Sequence, residues 1–303
     1  MKNLAFLCCV FKKVQFLIKN NCTYVHTFNC NKPFGFLQHL KKKMDKDNFA
    51  IVCAGISLDA ILREAKVPPS HSIEHARRTL FHAEQAIKAN NAAASPLHLT
   101  RDEEMAIMLA ALLHDADDTK YFSKNLNYEN ARLILRIAYP EVEDLTIQMI
   151  SYVSASKNQS KIPLEAKEKP WLLWPRYCDR LEAIGWIGVT RTWDYTLETS
   201  RPLYTAGTSR AITEEELFKI ATKERYSKYT GNSTSMIDHI YDKLLHISPF
   251  TSSNVYLDTV SKQRNGPLIE LCLTFGRAGK LDNSFLDRAR QLVKEEAVLS
   301  ALP

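Results

Sequence analysis

From Asp45 onward, apolar residues recur at the spacing of a helix face, and no stretch alternates apolar and polar residues long enough to make a strand. That periodicity leaves an all-α fold. Phe49, Val52, Ile56, Ala60 and Leu62 to Ala65 form the first stripe, and Pro68-Pro69 stops it. Ser70 or Ser72 can cap a second helix that runs to about Asn90. Thr100-Arg-Asp-Glu103 is a capping box, with the hydroxyl and carboxylate three residues apart, and it opens a helix through Leu113. Further helices are expected over 128–138 and 141–153, and over Trp171 to Gly185 after Pro170. The last ones are expected over 213–225, Ser233 to His246, 252–277 and 283–299. No repeat of 20–50 residues is present. Residues 45–303 are expected to form one helical domain.

Net charge has to be read by segment. The whole chain carries +6, but residues 1–44 hold eight of its 40 Lys and Arg and no acidic residue. The remainder carries 32 basic against 34 acidic groups, a net of −2. By charge the body is therefore no platform for a nucleic-acid duplex. The first segment also holds four of the seven cysteines: Cys8, Cys9, Cys22 and Cys30. An odd count and no paired spacing among Cys53, Cys178 and Cys272 argue against a disulfide framework, and fit reduced thiols in the cytoplasm. Residues 1–44 read as a tail, disordered or targeting. Leu4 to Phe11 is apolar, but Lys12 and Lys13 interrupt it, and a mitochondrial presequence would favour Arg. No run is long enough for a membrane span.

His114-Asp115 stands where the apolar helix Ala106–Leu113 runs out. A rigid helix end is a good mount for an imidazole and a carboxylate. The same dipeptide also suits a plain helix terminus, where the dipole favours His and the turn favours Asp. Upstream, His71-Ser-Ile-Glu-His75 puts two imidazoles four residues apart, with His82 near the same face. Downstream, Asp179 sits in the largely apolar stretch Trp171 to Ile184, where a buried carboxylate needs either Arg180 or a metal as partner.

These residues, in this order, resemble the H…HD…D signature of the HD superfamily of metal-dependent phosphohydrolases. The chain is similar to a branch of small, mainly bacterial HD hydrolases that is largely uncharacterised. The resemblance rests on three stretches: His71 to Arg78, Leu112 to Tyr121, and Cys178 to Arg191 with its spaced Gly185 and Gly188. His239 to Leu245 resembles the branch's C-terminal helix, and the likeness covers about residues 68–290. It implies an HD helical bundle with a core over about 68–195 and a helical extension over 196–303. It further implies one divalent metal on His75, His114, Asp115 and Asp179. The branch usually carries a His-Ser pair near the end of its fifth helix. Here Val153-Ser154 stands in its place, which puts a polar group near the substrate phosphate in question.

Two imidazoles and two carboxylates suit Mn²⁺, Co²⁺, Fe²⁺ or Mg²⁺ with open positions better than a closed zinc site. Such an ion polarises a phosphoryl oxygen and acidifies a bound water. Asp118 is expected to orient that water, ahead of its neighbour Asp117. His71 is expected to contact phosphate or protonate the leaving group. Lys120, Arg78, Arg180 and Lys243 are candidates to neutralise phosphate oxygens. The expected activity is hydrolysis of a phosphate ester or a nucleotide pyrophosphate bond. A nucleotide-sensing module with little turnover and a helical scaffold with a vestigial site are the alternatives. The expected partner is a small phosphorylated molecule or nucleotide. No deaminase HxE…PCxxC pattern or P-loop GxxxxGK is present.

Overall fold

The computed structural model describes residues 44–154, 158 and 160–300. Expectations about the basic segment before Met44 lie outside the described residues. Among the described residues there is no strand, and the all-α expectation holds. Helix α1 spans Lys46–Glu64, α2 Ile73–Asn91, α3 Arg101–Leu113, α4 Glu129–Ala138 and α5 Glu143–Val153. Then follow α6 Leu164–Glu168, α7 Trp174–Leu181, α8 Gly185–Glu198, α9 Glu214–Ile220 and α10 Lys223–Lys228. The last are α11 Met236–Asp242, α12 Val255–Gln263, α13 Gly266–Ala278 and α14 Asn283–Ser300.

The chain divides into two compact units. One holds residues up to Leu80 and Leu99–Ile150. Its centre is α3, on which Met105 to Ile107 and Leu109 to Leu113 are all buried. Only a helix surrounded on most sides can be apolar over so much of its circumference. Helix α1 packs against α3 and α4 and contributes Phe49, Cys53, Leu58, Ile61 and Leu62 to the core. The expected capping box is present: Thr100 Oγ1 accepts from Glu103 N–H at 3.2 Å, and Glu103 accepts from Thr100 N–H at 2.8 Å.

The other unit holds Phe81–His98 and the chain from Ser151 onward. Here α8 packs on α13 and α14, and α7 on α12. Trp174, Trp193, Tyr241 and Phe275 are its largest fully buried apolar side chains. The free cysteines Cys178 and Cys272 are buried in this unit, and Cys53 is buried in the first.

Four long helices expected from periodicity are broken. The Trp171-to-Gly185 helix becomes a 3-10 turn over Pro170–Leu173 followed by α7, which stops at Leu181. Ile184 is extended and Gly185 takes φ +69°, a conformation suited to glycine. Helix α8 can then fold back so closely that a Cβ on Gly188 would lie 2.5 Å from the Ala183 carbonyl. The 213–225 segment splits because Thr222 caps a new helix, accepting from Arg225 N–H at 3.2 Å. In Ser233 to His246 the helix lasts only from Met236 to Asp242, and a 3-10 turn over Leu244–His246 follows. The 252–277 segment breaks before Gly266-Pro267, since Pro267 has no N–H to continue α12 and is tolerated only in the first turn of α13.

Candidate metal centre

Helix α3 ends in carbonyls with no partner further along the helix. His114, its C-cap residue, places Nδ1 2.8 Å from the Ala111 carbonyl oxygen. A carbonyl only accepts, so Nδ1 carries the proton and Nε2 is left with its lone pair. That lone pair faces a second imidazole. His75, buried on the first turn of α2, has its Nε2 3.1 Å from His114 Nε2, with the rings edge to face and 5.0 Å between centroids. The Asp115 carboxylate joins them: Oδ2 is 3.4 Å from His114 Nε2 and 3.6 Å from His75 Nε2. Burial pushes the Asp115 carboxyl up. The positive charge that His114 carries when protonated, its hydrogen bond, and the charges of His75 and His71 when they too are protonated outweigh it and hold the group well below the usual carboxylate range.

The donor set fits a divalent ion. At a metal–nitrogen distance of ~2.1 Å, ligands at right angles stand ~3.0 Å apart, close to the separation of the two imidazole nitrogens. His75, His114 and Asp179 each offer one ligand atom, these atoms lie within 4.8 Å of one another, and the three could hold a metal ion. Asp179 is on α7, where most neighbouring positions are buried.

The turn after the HD pair carries the other acidic candidates. Asp118 Oδ1 accepts from the Lys120 N–H at 3.0 Å, and its Oδ2 is 3.6 Å from Lys120 Nζ. Lys120 Nζ in turn reaches within 3.5 Å of His71 Nε2. The His71 Nδ1 side meets Ser70 Oγ at 2.9 Å and the Tyr121 hydroxyl at 3.3 Å. The structure thus brings Asp118, Lys120 and His71 together and adds Tyr121. Asp117 does something else: it is buried and accepts from Asn125 Nδ2 at 2.6 Å, Asn130 N–H at 2.9 Å and Ala131 N–H at 2.9 Å. It caps α4, whose own N-cap residue, Tyr128, is left-handed and gives no side-chain cap.

The remaining candidates stand on several other elements. Arg78 is half-buried on α2, one turn beyond His75, and Lys243 is half-buried in the linker after α11. Arg180 is buried and donates to Ser160 Oγ at 2.7 Å. Val153 is buried at the end of α5. His82 lies in a buried network, with Nε2 3.1 Å from Glu182 Oε1 and Nδ1 2.7 Å from the Tyr256 hydroxyl. Arg264 joins that network 3.5 Å from Glu182 Oε1 and donates to the Leu181 carbonyl at 2.9 Å. Arg191 donates to the Glu182 carbonyl at 2.8 Å, so both arginines satisfy the end of α7.

No family model matches the chain. It is 35% identical over 224 residues to the uncharacterized protein L803 of Acanthamoeba polyphaga mimivirus, an alignment covering 68% of this chain and 88% of L803. The chain belongs to the L803 family. Among solved structures, a Lactobacillus plantarum structural-genomics protein is 19% identical to this chain, with a TM-score of 0.56 over 77% of this chain and 98% of that one. The all-α fold expected from the sequence is the fold of the chain, and the Lactobacillus plantarum protein shares it. A Bacillus thuringiensis protein titled an HD-superfamily hydrolase is 18% identical, with a TM-score of 0.47 over 76% of this chain and 96% of that one.

The sequence alone pointed to no role for Tyr121, Arg176 or the His82–Glu182–Arg264 network. The signal for Arg176 was a second cation one turn before Arg180 on an otherwise apolar helix face.

Proposed function

We propose that the chain is a divalent-metal-dependent phosphohydrolase acting on a phosphate ester or a nucleotide pyrophosphate bond. The metal is held by His75, His114, Asp115 and Asp179, and is Mn²⁺, Co²⁺, Fe²⁺ or Mg²⁺ in preference to Zn²⁺. The observation that carries the reading is the pair of imidazole nitrogens 3.1 Å apart, one with its lone pair fixed inward by the Ala111 carbonyl. When bound, the ion supplies Lewis-acid polarisation of a phosphoryl oxygen and a water acidic enough to ionise near neutral pH.

The protein residues supply the rest. Asp118, tethered by the Lys120 N–H, orients the attacking water and takes its proton. Lys120 neutralises a phosphate oxygen. His71, positioned by Ser70 and Tyr121, contacts phosphate or hands a proton to the leaving oxygen. Arg78, Arg180 and Lys243 are the further cations assigned to the phosphate side. The substrate is a small phosphorylated molecule or nucleotide. Among the described residues no helix is long and apolar enough to cross a membrane.

The test is a metal-by-substrate screen on purified protein. Mn²⁺, Co²⁺, Mg²⁺ and Zn²⁺ are crossed with nucleoside mono- and triphosphates, and products are resolved by chromatography. Metal-stimulated release of phosphate or pyrophosphate is expected. A nucleotide that raises the melting temperature without being consumed under any metal would replace hydrolysis with sensing.

A further inference from the structure

Helix α7 carries two cations on one face, Arg176 and Arg180, four residues apart. Both are buried, at 1% and 7% exposure. Long charged side chains are seldom buried so deeply without an opposite charge, because the desolvation of each costs several kcal/mol. Yet among the described residues no carboxylate forms an ion pair with either guanidinium. Arg176 is held by neutral acceptors, donating from Nε to the Tyr152 carbonyl at 2.5 Å and from Nη1 to the Lys161 carbonyl at 2.9 Å. Among the described residues its Nη2 has no hydrogen-bond partner, nor has Nε of Arg180, whose Nη2 goes to the Ser160 hydroxyl. Burial, followed by the neighbouring Arg180 charge, pushes the Arg176 guanidinium down to about 10.

Arg176 also lines a cavity of about 600 Å³, together with Tyr152, Lys161, Ile162 and Pro163. None of the four metal-ligand candidates lines it. The residues around the cavity therefore include a buried arginine with an unmet N–H, an exposed lysine and a tyrosine, with a second buried arginine one turn further along α7. We infer that this cavity is a binding site for a phosphate-bearing anion, held by Arg176 and Lys161 and backed by the charge of Arg180. An entering phosphate supplies the missing counter-charge and accepts the unmet N–H in the fork geometry guanidinium groups favour. The site is independent of bound metal.

Titration calorimetry of the full chain, stripped of metal with chelator and held at constant ionic strength, tests this with pyrophosphate and, separately, inorganic phosphate. One saturable site for at least one of the two is expected. Arg176→Gln, which keeps amide donors and removes the buried charge, weakens binding by about tenfold or more, the loss of one charge-assisted contact. Lys161 is exposed, so Lys161→Ala leaves the fold intact and weakens binding several-fold. His114→Ala leaves it unchanged. The inference is overturned if neither anion gives saturable heat. It is also overturned if both cavity variants bind like the parent, or if His114→Ala alone abolishes binding. These outcomes are separable from metal-stimulated hydrolysis, since no metal is present.

Discussion

Replacing Asp117 by Ala separates structure from catalysis in the Asp115–Asp118 turn. The Asp117 carboxylate accepts three hydrogen bonds, two of them from the Asn130 and Ala131 N–H groups in the first turn of α4. Loss of a helix cap costs typically ~1 kcal/mol and up to ~2. A negative charge at a helix N-terminus adds ~0.3–1 kcal/mol. The Asn125 amide is half-buried and can turn to water, so its loss adds less. With two backbone donors left unmet, Asp117→Ala is expected to cost ~3 kcal/mol, and Asp117→Asn, which keeps one acceptor, about half of that. At an m-value of ~3 kcal/mol/M, the alanine variant lowers the urea midpoint by ~1 M. Urea titration followed by circular dichroism measures it, with elemental analysis of the same sample for metal. A midpoint shift below ~0.3 M, or loss of metal from a variant of unchanged stability, would refute the capping role.

Asp118→Asn should keep the metal and the midpoint but slow metal-stimulated turnover by about 10²-fold or more, as for loss of a positioned base; unchanged kcat, or lost metal, excludes that role. Asp238 links stability to pH. Burial pushes its carboxyl up, but hydrogen bonds from Ser235, Thr234, Thr208 and Arg225 hold it below the usual value of 3.8. Its stabilisation is therefore present above that value and lost as pH falls through the lower folded-state pKa. Melting temperatures of the parent and Asp238→Asn should differ at pH 6 and converge toward pH 2; parallel curves would disprove the linkage. Gly188→Ala drives a methyl onto the Ala183 carbonyl and should cost at least ~2 kcal/mol by urea titration. An unaltered midpoint would mean that α8 does not pack so closely in solution.

Local signals in the sequence carried well into the fold where they were self-contained. The Thr100–Glu103 box needs only its own four residues, and it is present. The H…HD…D order pointed to side chains of which His75, His114 and Asp179 could hold one ion. Breaks in long helices were less legible. The end of α7 depends on Arg264, from far along the chain, and Arg191, on the next helix, binding its last carbonyls, and on Gly185 at positive φ. Likewise, the sequence ranks Asp117 only as a second choice behind Asp118 for the same role. What separates them is a helix start 13 residues on, which spacing alone does not disclose. His82 shared the apparent face of His75, yet Glu182 and Tyr256 claim it, because a buried imidazole goes to whichever polar partners the tertiary packing supplies.

The most direct measurement is metal stoichiometry by elemental analysis after reconstitution with Mn²⁺ and desalting. It should be made on the parent chain and on His75→Ala, His114→Ala, Asp115→Ala and Asp179→Ala, with circular dichroism to verify folding. The account predicts about one ion per parent chain and a large loss in every folded variant. A folded Asp179→Ala or His75→Ala protein that still holds one ion with undiminished affinity would contradict it.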